Sequence, residues 1–218
     1  MRRCRYSSLT VIVDDLVFWF KRKEEHIMKR HVLTLVINLA ALLLASTGLA
    51  ADAPVSFQGP ELTDLYMSIE PKEIGENPIR LIGEDWMLIT AGTPENFNTM
   101  TASWGGYGMW KVPVAYILVN PARYTFQFLE KEEIFTLSFY DPSKHSDVLR
   151  QVFGGTSGRT TDKVKESGFT PMLTSPGIAY AEARMIIVCK QSFATNTDPE
   201  GKSHKLFFGE ILSVWVRK

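Results

Sequence analysis

Six segments with strand-like apolar patterns follow one another between Trp86 and Val216, and this succession constrains the fold more than any other feature of the sequence. Each segment alternates apolar and polar residues or is largely apolar, and turn-forming residues separate the segments. The segments predicted as strands are Trp86–Thr90, Thr99–Ser103, Val114–Val119, Ile134–Tyr140, Ala179–Ser192 and Leu206–Val216.

Three helical segments are inserted between these strands. Asn120 is a suitable N-cap and Pro121 a suitable first helical residue, which predicts a helix over Ala122–Lys131. Two further helices are predicted over Lys144–Phe153 and Thr160–Ser167, and each ends before a glycine. Because strands dominate and no repeat or linker divides them, the pattern favours a mainly β (α+β) domain over a doubly wound α/β fold. A single β-barrel with inserted helices is the expected architecture.

The N-terminal part of the sequence has the pattern of an export signal. An apolar run of fourteen residues, Val32–Ala45, follows Met28-Lys29-Arg30 and precedes small residues, which predicts a signal peptide over residues 28–53. A membrane anchor is the alternative, although the run is shorter than the ~20 residues of a usual spanning helix. Residues 1–27 lie upstream of this signal and are interpreted as an overextended reading frame. The expected location is therefore periplasmic or secreted, with no stable membrane span after cleavage.

Cleavage near Ala53 would leave about 165 residues, which fits one domain. We predict an approach segment over residues 54–85 and the main domain over residues 86–218. From Pro54 onward, 16 Lys and Arg residues face 19 Asp and Glu residues, a net charge of −3. This balance gives no indication of nucleic-acid binding. Only Cys189 remains in this part, so no intramolecular disulfide is expected.

Several common motifs are excluded by their spacing. The stretch Gly154–Thr160 (GGTSGRT) has one residue too few for a P-loop and carries Arg159 in place of the required Lys. The glycines at 105, 106 and 108 lead into a strand, so they do not open a dinucleotide-binding helix. With His145, His204 and Cys189 as the candidate ligands, no metal site is expected.

Two groups of residues suit an anion. Arg123 falls in the first turn of the predicted Asn120-capped helix, where backbone N–H groups favour negative charge. Ser157-Gly158-Arg159 with Lys163 combines a flexible loop with two cations. Solvated surface charge is the alternative for each group. Together with the small, hydroxyl-rich edge Asn98–Ser103, they indicate a flat aromatic cofactor with a phosphate tail.

Four blocks in order then resemble a known family. FNTMTASWGG (Phe97–Gly106), PARYT (Pro121–Thr125), FTLSFY (Phe135–Tyr140) and SGRTTDK (Ser157–Lys163) resemble the flavoredoxin branch of the flavin reductase-like, FMN-binding split-barrel family. The resemblance runs from about Trp86 to Lys218 and includes the closing FFGEILSVWV (Phe207–Val216).

The resemblance implies a dimeric Greek-key split barrel that binds FMN noncovalently near the subunit interface. Asn98 to Trp104 would line the isoalloxazine ring, mostly through backbone groups and the Thr101 and Ser103 hydroxyls. Arg123 and Thr125 would lie near the ribityl-phosphate end. His204 would face the flavin, with a loop-capping role as its alternative. The implied cofactor-binding residues are Asn98, Thr99, Met100, Thr101, Ala102, Ser103, Trp104, Arg123, Thr125, Ser157, Gly158, Arg159, Lys163 and His204.

The resemblance also implies an oxidoreductase that passes hydride or electrons between a reduced nicotinamide, or another donor, and FMN. No catalytic side chain is expected, because the cofactor carries the chemistry. An export signal conflicts with a soluble NAD(P)H donor, so a redox protein is a possible partner. A noncatalytic periplasmic FMN-binding or electron-transfer protein is the alternative.

Overall fold

The computed structural model describes Phe57 and residues 59–218. The predictions for residues 1–27 and 28–53 lie outside the described residues. Within the described residues, none of the helices has the length and apolar character needed to cross a bilayer.

Antiparallel strands form most of the described chain. Eight of them make one sheet in the order β3-β2-β6-β9-β10-β5-β4, with β1 added on β10, while β7 and β8 pair separately. The strands are β1 (Tyr66–Ile69), β2 (Met87–Thr93), β3 (Asn96–Ala102), β4 (Gly105–Trp110), β5 (Val112–Val119), β6 (Ile134–Phe139), β7 (Pro171–Leu173), β8 (Ile178–Tyr180), β9 (Met185–Asn196) and β10 (Lys205–Arg217).

The helices are short and connect these strands. They are α1 (Leu62–Leu65), a 3-10 turn (Pro71–Glu73), α2 (Pro78–Gly83), α3 (Phe126–Leu129), α4 (Pro142–Val148), a π-helix (Leu149–Gly154) and α5 (Lys163–Ser167). The prediction of a mainly β (α+β) fold with inserted helices is therefore confirmed.

The sheet closes on itself because its two outermost strands are consecutive in the chain. β3 ends at Ala102 and β4 begins at Gly105, so only Ser103 and Trp104 join the opposite edges. Three Cα steps span about 11 Å at most, far less than the width of seven flat strands. The sheet must therefore curl into a barrel. A hydrogen bond from the Leu118 N–H to the Trp104 carbonyl, 3.3 Å long, holds this join against β5.

Both faces of the central strands are buried, which explains why their apolar pattern is nearly continuous. On β2, Met87 and Ile89 point into the barrel, whereas Leu88 belongs to a second core outside it. On β9, Ile187 and Val188 divide between the two cores in the same way. α4, the π-helix and the β7–β8 hairpin cover the outer core, and Cys189 is completely buried in the inner one.

Three element predictions differ from the structure. The predicted strand Ala179–Ser192 is two strands, β8 and β9, separated by a turn. The predicted helix Ala122–Lys131 is turns followed by the four-residue α3. β4 was not predicted because its three glycines disguise a strand. Gly105 and Gly106 are needed there, since a Cβ at either position would collide with Tyr116 on β5.

The segment before β2 is packed against the barrel. β1 pairs with the end of β10, and Tyr66 is 1% exposed. The Tyr66 hydroxyl donates to the Ala183 carbonyl, 2.6 Å away. Burial raises the pKa of Tyr66 to about 12, so the hydroxyl remains a donor across the physiological range. The described part of the predicted approach segment therefore belongs to the folded domain.

Candidate functional site

A cavity of about 430 Å³ lies beside the join between β3 and β4. β3 forms one wall, the turn after β5 forms another, and the loop after the π-helix forms a third. Thirteen of the fourteen predicted site residues line it: Asn98, Met100, Thr101, Ala102, Ser103, Trp104, Arg123, Thr125, Ser157, Gly158, Arg159, Lys163 and His204.

The exception is Thr99. Side chains alternate along a strand, so Thr99 points away from Asn98 and Met100 and into the outer core. Its hydroxyl bonds the hydroxyls of Thr90 (2.9 Å) and Tyr180 (3.0 Å). The Thr99 side chain therefore does not line the cavity, and the backbone carbonyl of Thr99 accepts a hydrogen bond from Lys163, so the predicted part of Thr99 in the site stays a prediction for its backbone alone.

The predicted role of Thr101 also changes. Its side chain lines the cavity, but its hydroxyl donates to the Leu149 carbonyl at the start of the π-helix. The hydroxyl proton is thus used to tie β3 to that helix. Ser103 has no hydrogen-bond partner among the described side chains and remains available on the cavity surface.

Asn98 organises the corner where three walls meet. It is buried, and its side-chain N–H donates to the hydroxyl of fully buried Thr125, 2.7 Å away. On its other side it touches Gly158, where a Cβ would overlap the Asn98 side-chain oxygen. The loop after the π-helix can approach β3 this closely only because residue 158 has no side chain.

Two arginines approach the cavity from different segments. Arg159 lies over the Tyr124 ring, with 5.0 Å between its guanidinium carbon and the ring centroid, and donates to the Ala122 carbonyl at 3.4 Å. Arg123 is exposed in the turn that Asn120 caps, since the Asn120 side chain accepts from the Ala122 N–H. The expected position of Arg123 in the first turn of a helix is wrong, because α3 begins only at Phe126. A helix dipole does not contribute to an anion site at Arg123.

Lys163 is the third cation and is only 7% exposed. Its ammonium donates to the carbonyls of Thr99 (3.0 Å) and Phe153 (2.9 Å). Burial, and then repulsion from Arg123, lower the pKa of Lys163 from 10.5 to about 8. The folded protein therefore releases this proton before the unfolded chain does. The free energy of unfolding therefore rises with pH between about 8 and 10.5. Below about pH 8, Lys163 is charged in both states, and the whole free-energy cost of burying its charge is present.

Arg123, Arg159 and Lys163 share one property that decides the chemistry of the cavity. Within the described part of the chain, none of them forms an ion pair, although seven other ion pairs are present. Charges this close together repel one another unless an anion lies between them. The lining of the cavity therefore carries uncompensated positive charge at this end.

The Trp104 and His204 side chains form the wall nearest the barrel join. Their ring centroids are 4.5 Å apart and their planes are tilted by 46°. The His204 carbonyl accepts from the Thr197 N–H at 2.9 Å, and Asn120 donates to the neighbouring Ser203 carbonyl at 2.9 Å. These bonds anchor the backbone, while the imidazole itself lines the cavity. The structure thus favours the cavity-facing position of His204.

The cavity also contains residues that the sequence did not single out. Tyr124 supports Arg159, and Asn120 holds the loop before β10, although the sequence marked Asn120 only as a helix cap. The remaining lining residues are Leu118, Ala122, Phe153, Gly154 and Thr156. Among the residues with described positions, no three His, Cys, Asp or Glu side chains are grouped so that they could bind a metal ion.

Replacing Gly158 with Ala tests the close contact with Asn98. The added methyl group must displace Asn98 or the loop, and such overpacking costs about 1–3 kcal/mol of unfolding free energy. Gly108→Ala is the matched control, because a Cβ there meets nothing within 4 Å. Urea denaturation should show a loss for Gly158→Ala and a change within about 0.5 kcal/mol for Gly108→Ala. Equal stability of the two variants contradicts the contact.

Solved structures with the same fold include several flavin-associated proteins. An FMN-binding domain of a flavin reductase-like enzyme from Shewanella baltica aligns with a TM-score of 0.57 at 17% identity, covering 69% of this chain and 76% of that one. An FMN-binding protein from Thermus thermophilus gives 0.54 at 21% identity, with 69% and 77% covered. Flavoredoxin of Desulfovibrio vulgaris gives 0.52 at 24% identity, with 67% and 76% covered. At these identities the likeness establishes the split-barrel fold.

A sequence comparison with curated proteins gives no match. The family model described as "Flavin reductase like domain" matches residues 79–218, which is more than half of the chain and contains every residue of the cavity. The chain therefore belongs to the flavin reductase-like family.

Proposed function

We propose that this protein binds FMN in the cavity beside the barrel join and acts as a flavin reductase-like oxidoreductase. The observation that carries the proposal is the meeting of three cations without ion pairs and an edge strand with small side chains in one cavity. A volume of about 430 Å³ is within the usual range of small-molecule sites, roughly 300–1,000 Å³. Family membership supports a flavin-related redox function.

The phosphate of FMN would be bound at the cationic end. Arg123 is exposed and has no ion-pair partner among the described residues, so its guanidinium is available for a phosphate. Arg159 is oriented by Tyr124, and the Ser157–Gly158 backbone borders the same space. Turn N–H groups next to a glycine commonly form anion-binding concavities. These groups fit a phosphate better than they fit a neutral ligand.

The flavin ring would lie against β3 and the join. β3 is an edge strand, so backbone groups on its outer side have no strand partner and can bond the polar edge of a ring. Ala102 and Ser103 are small enough for a planar ring to approach the backbone. Trp104 and His204 would close the end of this space.

Bound FMN would supply the hydride- and electron-transfer chemistry, and the protein would supply orientation and electrostatics. N–H donors from the β3 edge would stabilise negative charge on the ring, by the logic of an oxyanion hole. The aromatic wall of Trp104 and His204 would limit the access of water to it. No nucleophilic side chain is required.

We also propose that the protein is a homodimer. The outer face of β9, β10 and β5 exposes Phe193 (46%), Tyr116 (37%) and Leu212 (43%), and Phe193 stacks on Phe208 with ring centroids 4.8 Å apart. An aromatic patch of this kind commonly marks an interface. The apolar residues of Ala179–Val188 are covered within the chain and do not contribute to this patch. Light scattering should report a dimer, and a monomer that binds FMN tightly contradicts this assembly.

The two ends of the site can be separated with FMN and riboflavin, which differ by the phosphate. Hydrogen bonds to charged groups contribute roughly 1.5–3 kcal/mol, so Arg123→Ala should weaken FMN binding about ten- to a hundredfold. Riboflavin binding should be unchanged, because this ligand has no phosphate. Ser103→Leu should weaken both ligands, since it obstructs the ring. Fluorescence titration measures all four affinities. If Arg123→Ala affects both ligands equally, the phosphate assignment is wrong.

The electron donor is tested by mixing FMN-loaded protein with NADH or NADPH without oxygen. Rapid loss of the flavin absorbance supports a nicotinamide-dependent reductase. An exported protein, as the sequence predicts, would not meet soluble NAD(P)H, and the donor could then be a redox protein. If only a protein or chemical reductant bleaches the flavin, the noncatalytic electron-transfer function replaces the enzymatic one. A protein that binds no FMN refutes both.

A further inference from the structure

Lys163 connects two walls of the cavity that are far apart in the sequence. Its Nζ lies 3.0 Å from the carbonyl oxygen of Thr99 on β3 and 2.9 Å from that of Phe153 in the π-helix. Both bonds are buried, and only 7% of the residue is exposed. An ammonium group has three N–H donors, so these two carbonyls use two of them.

The two carbonyls belong to the parts that hold opposite ends of the proposed ligand. β3 faces the ring, whereas the π-helix leads directly into the Ser157–Arg159 loop that faces the phosphate. One other side-chain hydrogen bond joins these two elements in the described structure, from Thr101 to the Leu149 carbonyl. The Thr101 bond is made at the start of the π-helix, whereas the Lys163 bond is made near its end, next to the loop.

Three observations distinguish Lys163 from Arg123. Arg123 is exposed, whereas Lys163 is buried. No hydrogen bond of the Arg123 guanidinium is present within the described residues, whereas the Lys163 ammonium already has two partners, both on the scaffold. Removing Lys163 would also take a buried hydrogen bond from two carbonyls and would leave that of Thr99 with only the longer, 3.4 Å bond from the Asn98 side chain, which makes their positions less favourable. A direct phosphate contact therefore describes Arg123 better than Lys163.

We propose that Lys163 is a positioning residue that sets the separation of the β3 edge and the Ser157–Arg159 loop, so that its loss weakens the binding of the flavin ring and of the phosphate tail together. The proposal rests on the proposed FMN site. It differs from the role that the sequence indicated for Lys163, which was that of a cation serving the phosphate alone.

The test compares Lys163→Met with Arg123→Met, using FMN and riboflavin as probes. Each titration is made well below the unfolding temperature of that variant, so that lost stability alone does not alter the measured affinity. Lys163→Met should weaken both ligands by at least about tenfold, because it removes two buried hydrogen bonds that fix the walls. Arg123→Met should weaken FMN only. If folded Lys163→Met binds riboflavin within twofold of the wild type, the positioning role is overturned.

Two conservative variants separate hydrogen bonding from charge. Lys163→Gln is neutral but keeps two N–H donors, and Lys163→Arg keeps both donors and charge. If the carbonyl bonds position the site, Lys163→Gln should recover more of the riboflavin affinity than Lys163→Met does. Because the Gln side chain is one atom shorter than that of Lys, Lys163→Arg is the second arm: if neither folded variant recovers any riboflavin affinity over Lys163→Met, the positioning role is refuted.

Hydrogen exchange on the ligand-free protein gives a readout that does not depend on flavin binding. In Lys163→Met, amides of Asn96–Ala102 and Leu149–Gly155 should exchange faster than in the wild type, while those of β9 and β10 should not change. Unchanged exchange in both segments overturns the proposal. If the wild type binds neither flavin, the proposed function fails, and the exchange result alone decides whether Lys163 holds the two walls.

Discussion

The two-residue connection between β3 and β4 is the constraint on which the rest of the molecule depends. It joins the first and last strands of the sheet path, so the sheet closes and the inner core becomes a barrel interior. Side chains on the inner side of the sheet form the core, and the outer edge of β3, which ends at the join, has no strand partner. The cavity lies beside this edge, where backbone N–H and C=O groups of β3 are free to bind a ligand without breaking hydrogen bonds between strands. The same two residues, Ser103 and Trp104, therefore close the barrel and line the cavity.

The sequence predicts where most strands lie better than it predicts the connections between strands or the order of strands in the sheet. The period-two and continuous apolar patterns of β2, β5, β6 and β10 depend on burial, which local sequence records directly. β4 was not predicted as a strand. Its glycines are required because a side chain there would collide with Tyr116 on β5, and such a contact between strands leaves no pattern in the local sequence. The Asn120–Pro121 signal predicted the start of a helix, but Asn120 caps a turn, and the helix begins only at Phe126. Strand order itself could not be read from any periodicity.

The candidate site was predictable where residues are contiguous and chemically unusual. Asn98–Ser103 and Ser157–Arg159 are identified because small, hydroxyl and cationic residues are concentrated there, whereas Trp104 is implied only by the family resemblance. The individual tasks of these side chains were not predictable. Whether Thr101 or Lys163 faces a ligand or a backbone carbonyl depends on the π-helix, which reaches β3 only in the folded chain. Tyr124 was likewise missed, since its contact with Arg159 joins segments thirty-five residues apart.

The position of Cys189 has a chemical consequence if the protein binds the proposed flavin. Its sulfur lies in the barrel interior with no exposed surface, and burial raises the pKa of the thiol well above its ordinary value. The thiolate is the form that attacks disulfides and is oxidised to sulfenic acid, so this cysteine is protected by both inaccessibility and protonation. Oxidants produced near the cavity, or an oxidising compartment, would leave it unmodified while the barrel remains folded. Modification of Cys189 by a thiol reagent would therefore report opening of the barrel, since smaller motions at the surface do not expose the sulfur.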